Sequence, residues 1–151
     1  MKKTILAAIA ISIPCIALAD AATDAVKARQ DHMKAFGKQV GTFAAVAKGE
    51  AEYDPAVAQA AADMLVELAN ADQSGFWMEG TSMDDLPGVS YAKPALWENT
   101  DQVTAIMTDL QAAAANMQDV ASDGKDAMVA ALGPIGQQCQ ACHKEFQAKK
   151  D

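Results

Sequence analysis

Two thiols and an imidazole stand close together near the end of the chain, in Cys139-Gln140-Ala141-Cys142-His143. On a helix, residues three and four apart share a face, so Cys139, Cys142 and His143 project to the same side. The pattern C-x-x-C-H is that of covalent haem attachment: two thioether bonds pin the vinyl edge of a porphyrin while the imidazole turns to the iron. Three other chemistries use parts of it. A redox dithiol normally opens a helix that follows a strand, and no strand is predicted here. Structural zinc needs four ligands, and outside this cluster the chain has one further histidine, His32, and one further cysteine, Cys15. A disulfide between these two positions is sterically awkward within a helix. The spacing therefore reads as a site for one covalent haem c, with Cys139 and Cys142 as cofactor-binding residues and His143 as an iron ligand.

Cys15 drops out with the N-terminal segment. Lys2 and Lys3 precede an apolar stretch from Ile5 to Leu18, broken by Ser12 and Pro14 and ending in Ala17-Leu18-Ala19 before Asp20. Residues 1–19 are thus expected to be a cleaved secretory signal peptide, too short to serve as a comfortable membrane anchor. Export predicts a periplasmic location, where c-type haem is attached, and no later stretch could cross a membrane. Residues 20–151 form the mature domain of 132 residues. Loss of Lys2 and Lys3 takes its charge from −8 to −10. That balance excludes a nucleic-acid partner, and it predicts a redox partner with a basic or locally complementary patch.

The elements that position the cysteines and histidine follow from periodicity. The chain is 51% hydrophobic but only 5% aromatic, and alanine supplies much of the apolar share, which leaves little material for a β-sandwich or barrel. From Thr23 to Lys48, Val26, Met33, Phe36, Val40, Phe43 and Ala47 recur at helical steps. Gly49 ends this helix, and Asp54-Pro55 supplies a cap and a first-turn proline for a second. There Val57, Ala61, Met64, Leu65 and Leu68 are expected inward, and the helix stops near Asn70. Residues 72–94 carry glycines, prolines, acids and the bulky Phe76, Trp77 and Tyr91 without period, as a long loop packed against something. A third helix is expected from about Ala95 to Ala121, and a fourth, capped by Ser122 or Asp123, carries Met128, Leu132, Ile135, Cys139, Cys142 and Phe146 on one face. Pro134 should kink or split it. The result is an all-α, antiparallel four-helix bundle with covalently bound haem c near the C-terminal helix. Its alanine stripes bury little area, so something besides side chains must fill one end.

An exported, alanine-rich four-helix chain ending in C-x-x-C-H resembles the class II c-type cytochromes, the cytochrome c′ family and its low-spin relatives. The likeness extends to Arg29-Gln30, Val46-Ala47-Lys48-Gly49 with Tyr53-Asp54, Gly80-Thr81, and Ala92-Lys93-Pro94 with Trp97. It implies that Arg29 and Gln30 sit at the haem propionates and that Tyr91 lies at the haem edge. It also implies that Met33, four residues after Arg29, overhangs the open side of the iron, either as a thioether ligand or as a plain wall. Read from the helix alone, Met33 fills core space, Arg29 and Gln30 lie on a solvated face, and His32 points away into solvent. Two departures from the family pattern are visible: Gln147 stands where many members have Lys or Arg, and Pro134 interrupts the last helix.

The expected function is single-electron transfer, or binding of nitric oxide, carbon monoxide or another small gas, with no substrate turned over. The resemblance also allows a homodimer built on the first two helices. A haem enzyme, a weak peroxidase or a nitric oxide reductase, is the alternative, and it would need a distal acid–base group such as an inward-turned His32.

Overall fold

A computed structural model describes residues 16–149 of the chain. Most of the expected leader therefore lies outside the described residues. Four long helices, α1 (Ile16–Lys48), α2 (Pro55–Ala69), α4 (Thr100–Val120) and α5 (Lys125–Phe146), are joined by one short helix, α3 (Ala95–Glu98). Helix α1 packs against α2 and α5, and α4 packs against the same two. The side-chain ties between α2 and α4 show their direction: Gln59 donates to the carbonyl of Gln118, and Gln111, earlier in α4, donates to the carbonyl of Ala69, later in α2. That pairing is antiparallel.

The main core joins Phe36, Phe43, Leu65, Met117, Met128 and Ile135 to a set of buried alanines, and Cys139 packs against it. Phe43, Leu65, Met117, Met128 and Ile135 are fully buried, each contributing about 1.5–3 kcal/mol of transfer free energy. Helix α2 is held at its start by Asp54, whose carboxylate accepts from the amides of Ala56 and Val57. Within α1, Val46 is buried and Ala47 is exposed, one position off the expected stripe.

Val57 (54% exposed) and Met64 (41%) correct the expected inward face of α2; Ala58 and Ala62 hold the buried positions instead. The buried face of α2 is thus the stripe of Ala58, Ala61, Ala62, Leu65 and Ala69. The third helix also differs from expectation, because Asn99 (φ −121°, ψ 48°) separates α3 from α4. Both its backbone N–H and its side-chain amide donate to the carbonyl of Ala95, the local competition that makes asparagine a helix breaker. Helix α5 begins at Gly124, not at a Ser122 or Asp123 cap. Gly124 has φ 131°, open to glycine alone, and donates its N–H to the Tyr53 hydroxyl, which donates in turn to the carbonyl of Ala121. Pro134 does not split α5, which is continuous through it. The proline sits on the exposed side, where water can satisfy the carbonyl that lost its intrahelical donor.

The long loop is anchored at both ends of the chain. Lys93 N–H donates to the carbonyl of Phe146, Ala148 N–H to that of Tyr91, and Ala92 pairs with Gln147 in an isolated antiparallel bridge. Loop and C-terminal tail are thereby joined, beside a second apolar cluster of Ala92, Leu96, Ile106 and Phe146.

Candidate haem site

Beside that second cluster lies a cavity of about 390 Å³ whose walls come from α1, the loop, α3, α4 and α5. Helix α5 supplies Cys142 and His143. Opposite them, α1 supplies Arg29, Gln30 and Met33, and the loop contributes Trp77 and Tyr91. A smaller apolar cavity of about 120 Å³ continues it toward Cys139, Phe36 and Val40, and the two share Met33, Met107, Cys142 and His143. All seven residues singled out in the sequence, Cys139, Cys142, His143, Arg29, Gln30, Tyr91 and Met33, line one or both cavities. The spacing of four between Arg29 and Met33 brings both to the same wall.

Arg29 is 4% exposed, which sets aside a solvated helix face. Its guanidinium donates to the Thr81 hydroxyl (2.8 Å) and carbonyl (2.6 Å), the Ser90 hydroxyl (2.6 Å) and the Phe76 carbonyl (3.4 Å). The Trp77 and Trp97 rings lie 5.3 and 5.8 Å from its central carbon, within cation–π range. Burial lowers its pKa, and none of its acceptors among the described residues is a carboxylate. A buried cation beside an apolar cavity, with only neutral acceptors, matches a ligand that brings its own carboxylate. Gln30 is tied to the same loop through the Val89 carbonyl at 2.8 Å.

The Cys139 and Cys142 thiols are half-buried and free. Burial raises the pKa of each, and the neighbouring Cys139 adds to the rise at Cys142. A redox dithiol needs the opposite shift. No group of three or more histidine, cysteine or carboxylate side chains among the described residues could hold a metal ion by itself, which sets aside structural zinc. Two thiols and an imidazole on one helix, an apolar slot, and a buried cation at its end fit a porphyrin with anionic propionates.

Sequence reading missed part of the wall. Trp77, Leu96, Val103, Met107 and Phe146 also line the main cavity; Phe146 was readable only as core stripe, and Trp77 only as a packed loop aromatic. His32 differs from its expected place in solvent. Its ring packs edge-on to Phe36 and tilted against Phe76, and its buried Nε2 has no partner. Burial lowers its pKa, opposed by a backbone hydrogen bond to Leu68, and it lines neither cavity.

The cytochrome C′ family matches residues 24–147. Cytochrome c′ of Cereibacter sphaeroides is 35% identical over 99% of this chain and all of its own length. Among solved structures, a cytochrome c′ from Rhodobacter Spheriodes superposes with a TM-score of 0.82 at 36% identity, covering 85% of this chain and 98% of that one. A ferrous variant of cytochrome c prime from Alcaligenes xylosoxidans with bound NO superposes at 0.73 with 28% identity, covering 85% and 97%. With a four-helix bundle, a terminal C-x-x-C-H on α5 and a haem-shaped slot beside it, the chain belongs to the cytochrome c′ family: it is a haem c protein with one covalent haem, of the electron-transfer and gas-binding type.

Proposed function

We propose that Cys139 and Cys142 carry the thioether bonds, that His143 is the iron ligand on the α5 side, and that Met33 stands over the other face. The observation that carries this reading is the shared wall: Met33, Cys142 and His143 line both cavities, with Met33 on the helix opposite the other two. Arg29 and Gln30 receive the propionates while holding the long loop, and Tyr91 borders the edge. The haem supplies a one-electron couple and an iron that binds small diatomic gases. The chain's residues do the rest: α5 fixes the ring, Arg29 balances its carboxylates, and the apolar wall keeps water from the distal face. The Alcaligenes relative that holds NO supports gas binding at this site.

A haem enzyme built on this site would need a distal acid–base group. No carboxylate lines either cavity among the described residues. His32, the distal acid–base candidate read from the sequence, is turned toward Phe36, Phe76 and Leu68. A peroxidase-like step would have to use Lys34 or Tyr91, which line the main cavity, rather than His32. The leader and the haem chemistry support a periplasmic location, and no described helix is long and apolar enough to cross a membrane. Val57 and Met64, exposed on α2, support a homodimer face.

Absorption spectra of wild-type and Met33→Ala holoprotein test the site. Acid–acetone should leave the colour with the protein, and free extraction would refute the thioether assignment. A ligating sulfur gives a charge-transfer band at the red end of the oxidised spectrum that Met33→Ala removes, and an overhanging one gives faster carbon monoxide binding in the variant. Unchanged spectra together with unchanged carbon monoxide binding would remove Met33 from the site.

A further inference from the structure

The charges of this bundle are sorted by helix. Between Asp31 and Glu50, α1 carries Lys34, Lys38 and Lys48 and no acid; between Asp126 and Glu145, α5 carries no acid and reaches Lys144. In contrast, α2 carries Asp63 and Glu67 and α4 carries Asp101, Asp109 and Asp119, with no lysine or arginine in either helix. Because α1 lies against α5 and α2 against α4, the sorting becomes spatial: the lysine-bearing stretches of α1 and α5 form one side of the bundle and the purely acidic α2 and α4 the other, while the loop that also borders the slot carries Asp72, Glu79, Asp84 and Asp85. The haem slot opens between α1 and α5, and Lys34 is part of its wall. Lys93 adds a further cation at the end of α5, its ammonium donating to the carbonyls of Lys144 and Glu145. The acids of these two helices are Asp20 and Asp24 near the start of α1, Asp31, bound by Lys27 and Lys34, and Asp126 and Glu145 at the two ends of α5.

We infer that the α1/α5 face around the slot is the docking surface for a redox protein with an acidic contact patch, although the whole chain is strongly acidic. This rests on the electron-transfer reading above and names the partner's chemistry. The Debye length is about 10 Å at 0.1 M salt, so a partner seated over the slot feels Lys34, Lys38, Lys93 and Lys144 while the α2/α4 acids on the opposite side are screened. Net charge alone would select a basic partner and would steer it to the side away from the slot.

The test uses the ferrous holoprotein and hexacyanoferrate(III), a trianion. One electron passes from the haem iron to the reagent, which becomes hexacyanoferrate(II); no bond forms or breaks and no proton moves. Between 0.1 M and 1 M salt the rate should fall in the wild type, because the local attraction is screened. Lys38→Glu/Lys144→Glu should slow the reaction at 0.1 M by roughly tenfold, within the range of electrostatic steering, with an unchanged haem spectrum. The control Glu67→Lys/Asp109→Lys, on the opposite side, should react within about twofold of wild type, because charges more than a Debye length away are largely screened. Poly-L-glutamate, as a macromolecular acidic competitor, should inhibit the wild type and lose that effect in the lysine variant. A rate that rises with salt in the wild type, or equal effects of both double variants, or no inhibition by poly-L-glutamate, would overturn the docking face. Failure of the ferrous protein to reduce hexacyanoferrate(III) at any salt would instead overturn electron transfer itself.

Discussion

Replacing Arg29 by Met removes the one cation that joins α1, the long loop and the slot, while keeping a side chain that can pack between Trp77 and Trp97. Four acceptors lose their donor: both oxygens of Thr81, the Ser90 hydroxyl and the Phe76 carbonyl. A hydrogen bond to a charged group contributes about 1.5–3 kcal/mol. The losses do not add fully, because relief of the guanidinium's burial opposes them, as its lowered pKa records. The contact at 3.4 Å is also weak. We expect a net loss of about 3–5 kcal/mol, the range for breaking a buried charged network. For a domain of this size that is a fall in Tm of roughly 10–20 °C. Urea unfolding of the holoprotein, followed by circular dichroism and by Soret absorbance, measures it, and amide exchange over residues 76–92 should rise most. Arg29→Lys should recover less than half the loss, since one ammonium cannot span Thr81 and Ser90 with a fork of donors. A loss below about 1 kcal/mol, or full recovery by lysine, would show that packing and not the directed donors holds the loop.

Tyr53→Phe removes the hydroxyl that links Ala121 and Gly124 where α4 passes to α5; the expected loss is about 1–2 kcal/mol with no change in the haem spectrum, read from urea midpoints. The Asp31 carboxyl is held down to about 2 by hydrogen bonds from Lys27 and Lys34. Its contribution is therefore complete above the ordinary carboxylate range near pH 4 and is lost as the pH falls through about 2. Asp31→Asn should flatten that part of the stability profile, by little, because the group is exposed, and an unchanged slope between pH 4 and 2 would show the pairs to be idle.

The bundle was legible because its helices are amphipathic and its haem motif is local: Cys139, Cys142 and His143 need only helical geometry to share a face. Arg29 and Met33 were legible as neighbours on one wall for the same reason, although their position at the slot came from family resemblance. What stayed hidden depends on tertiary contacts. The outward turn of Val57 and Met64 depends on which face of α2 meets its neighbours, here that of Ala58, Ala62 and Leu65, and periodicity alone does not settle that. The break at Asn99 is a contest between a side-chain amide and a helix that would otherwise read through. His32 was misplaced because helical angle alone ignores the loop that folds Phe76 over it.

The seam between Tyr91–Lys93 and Phe146–Ala148 has a consequence for maturation. One wall of the slot is made within the first fifty residues, and the other, with the strand-like seam that seals it, lies in the final dozen. The slot therefore has no existence during synthesis and closes only when both ends of the chain meet, a contact of high sequence separation and correspondingly slow to form. Until then the Cys139–His143 end of α5 lacks its cover from the loop, and its two thiols are open to attachment chemistry. Once the tail pairs with the loop, the same residues become a wall, so a chain cut after Gln140 would lack that wall and never build the pocket.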